Sequence, residues 1–334
     1  MSTNIGLLGG GFIGSIHAEA YQQIESAQLT ALLEADPEVR NSFHKEFGVP
    51  TYASWSEFRE ADLDALDICL PTYLHREFIE KSLEMGKPII CEKPLALSSS
   101  EAEEISTLVE EAGIPFMVGH VLRFWPEYVK MRELIQSGNL GQPETFFAQR
   151  LTQRPQWSKW LSDPELSGGA AHDLHIHDLD YTNWLFGSPK SIFGRGVRGE
   201  TGGLDHVFSL ITYEEVEAFV EGTFLVSSGY PFTMRARIGC REGTVEYEYR
   251  GATDLQSRAK ANSSLILYRK DHDPTMLEVS RKDPYQIELE YFVDQLQKGE
   301  KLDRVTVGDG ARAVLTAQKS IKSIQEKQPL GFES

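Results

Sequence analysis

The stretch Gly168–Asp180 reads GGAAHDLHIHDLD, which sets three histidines and three aspartates within nine positions. On a helix, at about 100° per residue, Asp173, His177, Asp180 and Trp184 fall on one stripe roughly 60° wide, with His172 and His175 on another face. An acid, a base and a second acid along one stripe suit proton transfer. A neutral imidazole, ordinarily titrating at about 6.5, can accept a proton around neutral pH. Two other readings stay open. His172, His175 or His120 could ligate a metal, although His175 and His177 diverge on a helix and no HExxH spacing is present. The cluster could also be a set of caps and salt bridges that only holds the helix.

A second set of candidates lies near the start of the chain. Gly9-Gly10-Gly11-Phe12-Ile13-Gly14 matches GxGxxG, follows the apolar run Ile5–Leu8 and opens a helix-period stretch. In that setting the first glycine makes a tight turn, the second lets a pyrophosphate approach the backbone, and the third packs helix on strand. The diphosphate then rests on the helix N-terminus, where backbone N–H groups and the dipole favour negative charge. Glu34 ends the next apolar run, twenty residues beyond Gly14, where an acid accepts hydrogen bonds from ribose hydroxyls. That acid repels a 2′-phosphate, and the residues after it are Ala35 and Asp36, with no Arg or Lys, so NAD is favoured over NADP. The expected cofactor contacts are Gly9, Gly11, Phe12, Ile13, Gly14 and Glu34. Two more strand ends, Pro71-Thr72-Tyr73-Leu74-His75 and Glu92-Lys93-Pro94, belong to the same side, because ligands of open α/β sheets sit beyond the carboxyl ends of the strands. The plainer alternatives are a decayed glycine loop, a solvated turn lysine at 93 and an ordinary helix-start histidine at 75.

The elements that must position these groups follow from hydrophobic period. Short apolar runs at Ile5–Leu8, Leu29–Leu33, Ala65–Leu70, Pro88–Cys91 and Pro115–Val118 alternate with helix-period stretches at Gly14–Ile24, Pro37–Phe47, Leu74–Met85 and Ser98–Ala112. That alternation predicts a parallel sheet covered on both faces, a doubly wound Rossmann arrangement. Beyond about residue 120 the pattern changes. A helix at Pro126–Ser137 leads to a strand at Glu144–Thr152, a Trp- and Pro-rich stretch, and a helix over Ala170–Phe186. Strands then dominate from Lys190 to Arg269, many alternating polar and apolar residues, and helices near Tyr285–Lys298 and Gly310–Lys327 close the chain. The expected architecture is α/β: a Rossmann domain over residues 1–121, then an α+β substrate and oligomerisation domain over 122–334 with a large, mostly antiparallel open sheet.

Composition narrows the partners. Lys and Arg total 33 against 50 Asp and Glu, a formal charge of −17. So acidic a surface repels nucleic acid and anionic membranes, without opposing an anionic cofactor held locally by backbone N–H groups. Cys69, Cys91 and Cys240 are widely spaced and lack CxxC, and the first two sit in apolar runs as packing residues. With no signal-peptide pattern and no membrane-length apolar stretch, a cytoplasmic location is expected.

GLLGGGFIGSIHA, PTYLH, CEKP and GGAAHDLHIHDLD occur in this order, and together they resemble the glucose–fructose oxidoreductase/inositol dehydrogenase (Gfo/Idh/MocA) family over the whole chain. The resemblance implies that Lys93 is the lysine of the family's EKP signature and that Asp173 and His177 are its catalytic aspartate and histidine. It puts the ribose-binding acid on Glu34, lines the cofactor with Pro71, Thr72 and His75, and sets Arg123 near the substrate. It also implies dimers or tetramers formed through the second domain's sheet. His172 and His175 depart from the small or apolar residues common there. The expected reaction is NAD-dependent hydride transfer at a hydroxyl-bearing carbon of a sugar, polyol or inositol. In it His177 is the general base, Asp173 orients it or binds a neighbouring hydroxyl, and Lys93 faces the developing alkoxide. His120, Arg123, Arg150, Trp157 and Trp160 are the candidate substrate contacts. The rival readings are an NAD sensor without turnover and an NAD-dependent glycoside hydrolase.

Overall fold

The computed structural model describes residues 2–155, 159–251 and 262–332. The first run of elements is β1 (Thr3–Leu8), α1 (Phe12–Tyr21), β2 (Ala27–Leu33), α2 (Pro37–Phe47), β3 (Thr51–Tyr52), α3 (Trp55–Phe58), β4 (Ala65–Ile68), α4 (His75–Glu84), β5 (Ile89–Glu92), α5 (Ser99–Ala112) and β6 (Phe116–Gly119). The second is α6 (Pro126–Gln136), β7 (Pro143–Leu151), α7 (Pro164–Ser167), α8 (Gly169–Asp173), α9 (Ile176–Phe186), β8 (Ser191–Arg198), β9 (Leu204–Thr212), β10 (Glu217–Thr223), β11 (Thr233–Cys240), β12 (Gly243–Arg250), β13 (Asn262–Arg269) and β14 (Thr275–Met276). Last come α10 (Pro284–Lys298), α11 (Val307–Glu326) and β15 (Leu330–Gly331).

The chain divides into two compact units, Met1–Trp125 with Lys282–Ala311, and Pro126–Arg281 with Arg312–Ser334. In the first, the strands form a parallel sheet in the order β3-β2-β1-β4-β5-β6. Every residue of β4, β5 and β6 is buried, as strands covered on both faces must be. Local chemistry starts and stops the helices. Asp36 caps α2 by accepting from the Glu38 N–H at 2.8 Å, Pro37 follows it, and Gly48 ends it left-handed. Ser98 caps α5 through the Glu101 N–H.

The sequence boundary at residue 121 is corrected by this division. Residues Lys282–Ala311 return to the first unit, where α10 packs on α1 and buries Glu288, Leu289, Phe292 and Val293. A helix periodic over two apolar stripes shows that it packs, not on which element, so the return leaves no mark in the sequence.

The second unit holds a nine-stranded sheet in the order β14-β13-β12-β11-β7-β10-β9-β8-β15. Its long-strand pairings are antiparallel except β7 with β10. Through the middle of β7 and β10 residues alternate between the two faces. Phe146, Ala148 and Arg150 of β7 and Ala218 and Val220 of β10 are buried on the side that carries α9, while Phe147, Phe219 and Phe208 stand on the opposite face. Among the described residues no helix is long and apolar enough to cross a membrane.

Candidate active site

In the first unit the glycine turn joins β1 to α1. Gly9 has φ +98°, and a Cβ there would lie 2.6 Å from the Cys69 carbonyl oxygen. A Cβ on Gly14 would fall 2.0 Å from the Gly9 oxygen, so helix and turn are in contact. Around Gly11 a Cβ would meet nothing within 4 Å. Two glycines are therefore packed and the third leaves the backbone open at the mouth of α1, whose first turn carries no acid. Glu34 extends from the end of β2 and accepts from the Gly10 N–H and the Asp36 N–H, both at 2.9 Å. Each carboxylate oxygen keeps a second lone pair for a hydroxyl. These residues fit a dinucleotide's diphosphate and ribose.

One part of the sequence argument is corrected here. Although Ala35 and Asp36 follow Glu34, Arg40 folds back from the first turn of α2 and donates to the Glu34 and Ala35 carbonyl oxygens, both at 2.7 Å. A basic group does stand at the end of β2. A helix beginning at Pro37 turns Arg40 toward its own N-terminus, and that periodicity was the available signal.

The two other strand-end loops are tied together by His75, which is fully buried. Its Nδ1 lies 2.9 Å from the Pro94 oxygen and its Nε2 2.8 Å from the Leu70 oxygen. Burial lowers its pKa, and the two carbonyl oxygens oppose that shift. Expected as a cofactor contact, His75 instead uses both nitrogens on the main chain that carries Lys93. Thr72 is buried beside it, and Pro71 and Lys93 are half-buried. Glu92 is buried and accepts from the Lys93 N–H through Oε2 at 3.1 Å. His120 follows β6 and is buried. Arg123, expected near the substrate, is also buried, with Nη1 donating to the Arg304 oxygen at 3.0 Å and lying 3.2 Å from Asp309. That pairing pulls the Asp309 carboxyl below its ordinary range against the opposing effect of burial.

In the second unit the helix expected over Ala170–Phe186 is two helices. The His175 N–H donates to the Ala170 oxygen at 2.8 Å, five residues back, and this wide turn inserts a residue between α8 and α9. Asp173 is thus the last residue of α8, and the single stripe running from 173 to 184 is corrected. His177, Asp180 and Trp184 do share α9, but Asp180 is buried and Trp184 lies under the Arg132 guanidinium at 4.2 Å. Asp173 and His177 are the half-buried members of the cluster.

Buried groups hold His177 from both sides. His175 is fully buried, its Nε2 is 2.8 Å from the Ser209 hydroxyl, and that hydroxyl is 2.7 Å from Ser320. Burial pushes its pKa down to about 3, which keeps the ring neutral. Asp178 accepts a fork from Arg150, Nε to Oδ2 at 2.8 Å and Nη2 to Oδ1 at 3.1 Å. Arg150, read from the sequence as a substrate contact, has its fork taken up in fastening β7 to α9. His172 is buried against Gly168, and Trp160 is half-buried. Trp157 lies outside the described residues. Among the described residues the groups of three potential metal ligands centre on His17, and none contains His120, His172 or His175.

Sequence comparison agrees with both halves. Residues 3–120 match the model of the oxidoreductase family with an NAD-binding Rossmann fold, and residues 128–246 match the GFO/IDH/MocA C-terminal domain. Inositol 2-dehydrogenase of Rhizobium meliloti (strain 1021) is 27% identical, over 99% of this chain and 100% of that protein. The solved structure of levoglucosan dehydrogenase in complex with NADH superposes with a TM-score of 0.87 at 20% identity, covering 100% of each chain. Aldose-aldose oxidoreductase from Caulobacter crescentus, complexed with glycerol, gives 0.86 at 20% identity over 99% of this chain and 100% of that one. With an open glycine turn answered by Glu34 in one unit and both family domains matched in order, the chain belongs to the Gfo/Idh/MocA oxidoreductase family, its NAD-binding Rossmann domain followed by that family's C-terminal domain.

Proposed function

We propose that this enzyme moves a hydride between NAD and a hydroxyl-bearing carbon of a sugar, polyol or inositol, with His177 as the general base. The observation that carries the reading is the setting of His177, a half-buried imidazole whose sequence neighbours Asp178 and His175 are fully buried and fastened to two strands and a helix. A base so held keeps its direction through turnover. The cofactor supplies the hydride acceptor at its nicotinamide. His177 takes the hydroxyl proton, Lys93 sets a positive charge against the developing alkoxide, and Asp173 binds a neighbouring hydroxyl. Glu34 receives the adenosine ribose. Trp160 and His120 remain as substrate contacts, whereas Arg123 and Arg150 act as positioning residues. The substrate class follows the relatives, one named for inositol and one for levoglucosan.

The remaining expectations concern assembly and place. On the open face of the nine-stranded sheet, Phe147 and Phe219 stack with centroids 5.9 Å apart, Phe208 adjoins Phe219, and Leu210 is 47% exposed. A second copy of the chain covers that apolar face, giving a homodimer or tetramer. The thiols are free, with Cys69 and Cys91 buried, which suits the reducing cytoplasm.

The decisive experiment is NAD reduction across inositols, aldoses and anhydrosugars, with and without chelator, for the wild type and His177→Ala. Loss of a positioned acid–base group lowers kcat by ~10²–10⁴-fold and leaves NAD affinity nearly unchanged. Clear NAD binding with no NADH on any member of the panel would establish a sensor. Aglycone release from a chromogenic glycoside without net NADH would establish the glycoside hydrolase, and loss of activity to chelator a metal.

A further inference from the structure

Beneath the Lys93 loop lies a buried cluster that the reaction above does not use. His17 of α1 is fully buried, with Nδ1 2.8 Å from Asp67 Oδ2 and Nε2 3.2 Å from Glu92 Oε1. Glu288 of α10 is also fully buried, and one of its oxygens lies within 4.8 Å of both His17 Nε2 and Glu92 Oε1. Neither Glu288 oxygen has a hydrogen-bond partner, and Glu92 Oε1 accepts none. Three carboxyl groups therefore surround one imidazole.

Which of the three retains a proton follows from the donors each receives. Asp67 Oδ2 takes the Tyr21 hydroxyl at 3.0 Å as well as His17, and its Oδ1 faces the Cys69 thiol at 3.4 Å. Glu92 has the Lys93 N–H. Glu288 receives nothing. Facing it are Glu92 of β5, His17 and Tyr21 of α1, Asp67 of β4, Tyr285 of its own helix, and Arg304, while Cys69, Cys91 and His75 adjoin the rest of the cluster. Arg304 is the cation among them other than His17, and it is turned to the Arg123 oxygen at 2.9 Å and the Phe124 ring at 4.5 Å. Two buried carboxylates so close cannot both ionise, and the one with no donor keeps the proton.

We infer that Glu288 is uncharged in the folded protein and is a positioning residue for Lys93, its carboxylic proton turned to Glu92 Oε1 and thereby holding the strand end whose Oε2 fixes the Lys93 N–H. Burial, and then Glu92, move its titration upward, in the direction that geometry requires. His17 shifts upward too: burial opposes its charge, but the Asp67 carboxyl at 2.8 Å outweighs that. Once Glu288 loses its proton, it repels Glu92 and the Lys93 backbone is released. The importance of Lys93 in this inference rests on the proposed function, but the contact itself does not.

The test compares the full-length wild type with Glu288→Gln and Glu288→Ala. The readout is amide hydrogen exchange at Lys93, corrected for intrinsic pH dependence, from about pH 6 to about pH 9. Wild-type protection matches that of Glu288→Gln at neutral pH and falls only once rising pH ionises Glu288. Glu288→Gln, a neutral isostere that still donates, keeps its protection level across the range. Glu288→Ala is poorly protected at every pH, and if it does not fold, the wild type and Glu288→Gln decide the matter alone. A Glu288→Gln protein whose Lys93 protection at neutral pH differs from that of the wild type overturns the inference. Lys93→Ala turning over normally would refute the role given to Lys93 and leave the exchange result standing.

Discussion

Replacing Asp178 by alanine strands the Arg150 guanidinium in the second unit. Arg150 is only 4% exposed, and Asp178 supplies both of its carboxylate contacts. Burial works against the charge, yet Asp178 overrides it and raises the pKa, so the arginine cannot discharge when its partner is removed. The Met234 sulfur beside Nη1 is too weak an acceptor to replace a carboxylate. Breaking such a pair from one side costs about 3–5 kcal/mol, because an uncompensated charge remains buried. In a unit of about 180 residues, where each kcal/mol moves Tm by roughly 2–4 °C, the transition falls by roughly 6–20 °C. Differential scanning calorimetry of wild type, Asp178→Ala and the double variant Arg150→Met/Asp178→Leu measures this directly. The double variant recovers most of the loss, since an apolar pair of similar volume dispenses with the desolvation of both ions. An Asp178→Ala transition within about 2 °C of the wild type would show that water reaches the guanidinium, and the argument that this pair anchors α9 would be wrong.

Glu34→Ala weakens NAD binding by roughly tenfold or more, the loss of one charge-assisted hydrogen bond, and narrows the preference over NADP because Arg40 remains; competitive titration with both cofactors reads each effect. Gly14→Ala drives a Cβ into the Gly9 oxygen and abolishes NAD binding, whereas Gly11→Ala stays folded, since its Cβ meets open space, and loses affinity through contact with the diphosphate; melting curves with and without NAD separate the two. His175 titrates at about 3 in the fold against about 6.5 when unfolded, so the unfolded chain binds the extra proton and stability falls as pH drops through that interval. By about pH 5 the loss is ~2 kcal/mol, and His175→Asn flattens this acid limb in pH-dependent denaturant titrations.

How much of this was legible from sequence depended on the range of the interaction. The parallel sheet was readable because its strands are continuously apolar, and the glycine turn because its three positions each meet a separate steric demand, two of which the packing at Gly9 and Gly14 bears out. The helix carrying His177 was placed correctly, but the inserted residue at 174–175 was not; His175, which follows it, contacts Ser209 on a strand thirty-four residues away. Arg150 illustrates the same limit. An arginine in a strand reads equally as a sugar contact or as half of an ion pair, and only the fold brings Asp178 against it. His17, Glu288 and Arg40 carried no motif of their own. Glu288 looked like a polar position on an amphipathic helix, and its burial depends on the return of α10 to the first unit.

The two residues proposed to react share a local design. Lys93 and His177 are half-buried, and each has a buried carboxylate as its immediate sequence neighbour, Glu92 before the lysine and Asp178 after the histidine. At a strand end successive side chains point to opposite sides, and on a helix they diverge by about 100°. A neighbour anchored inward therefore fixes the backbone of a residue that must face outward, without occupying its side chain. Neither anchor is the most economical route to stability, because an apolar residue in either place would avoid desolvating a charge. What a fork to Arg150 adds, and a proton shared with Glu288 would add, is direction: such contacts are satisfied in one orientation, whereas an apolar side chain would accept several. Directional anchors beside both proposed residues suit a hydride-transfer enzyme, since its reacting groups must be placed within fractions of an ångström. The design also explains why removing the anchors should damage turnover at temperatures where the chain is still folded.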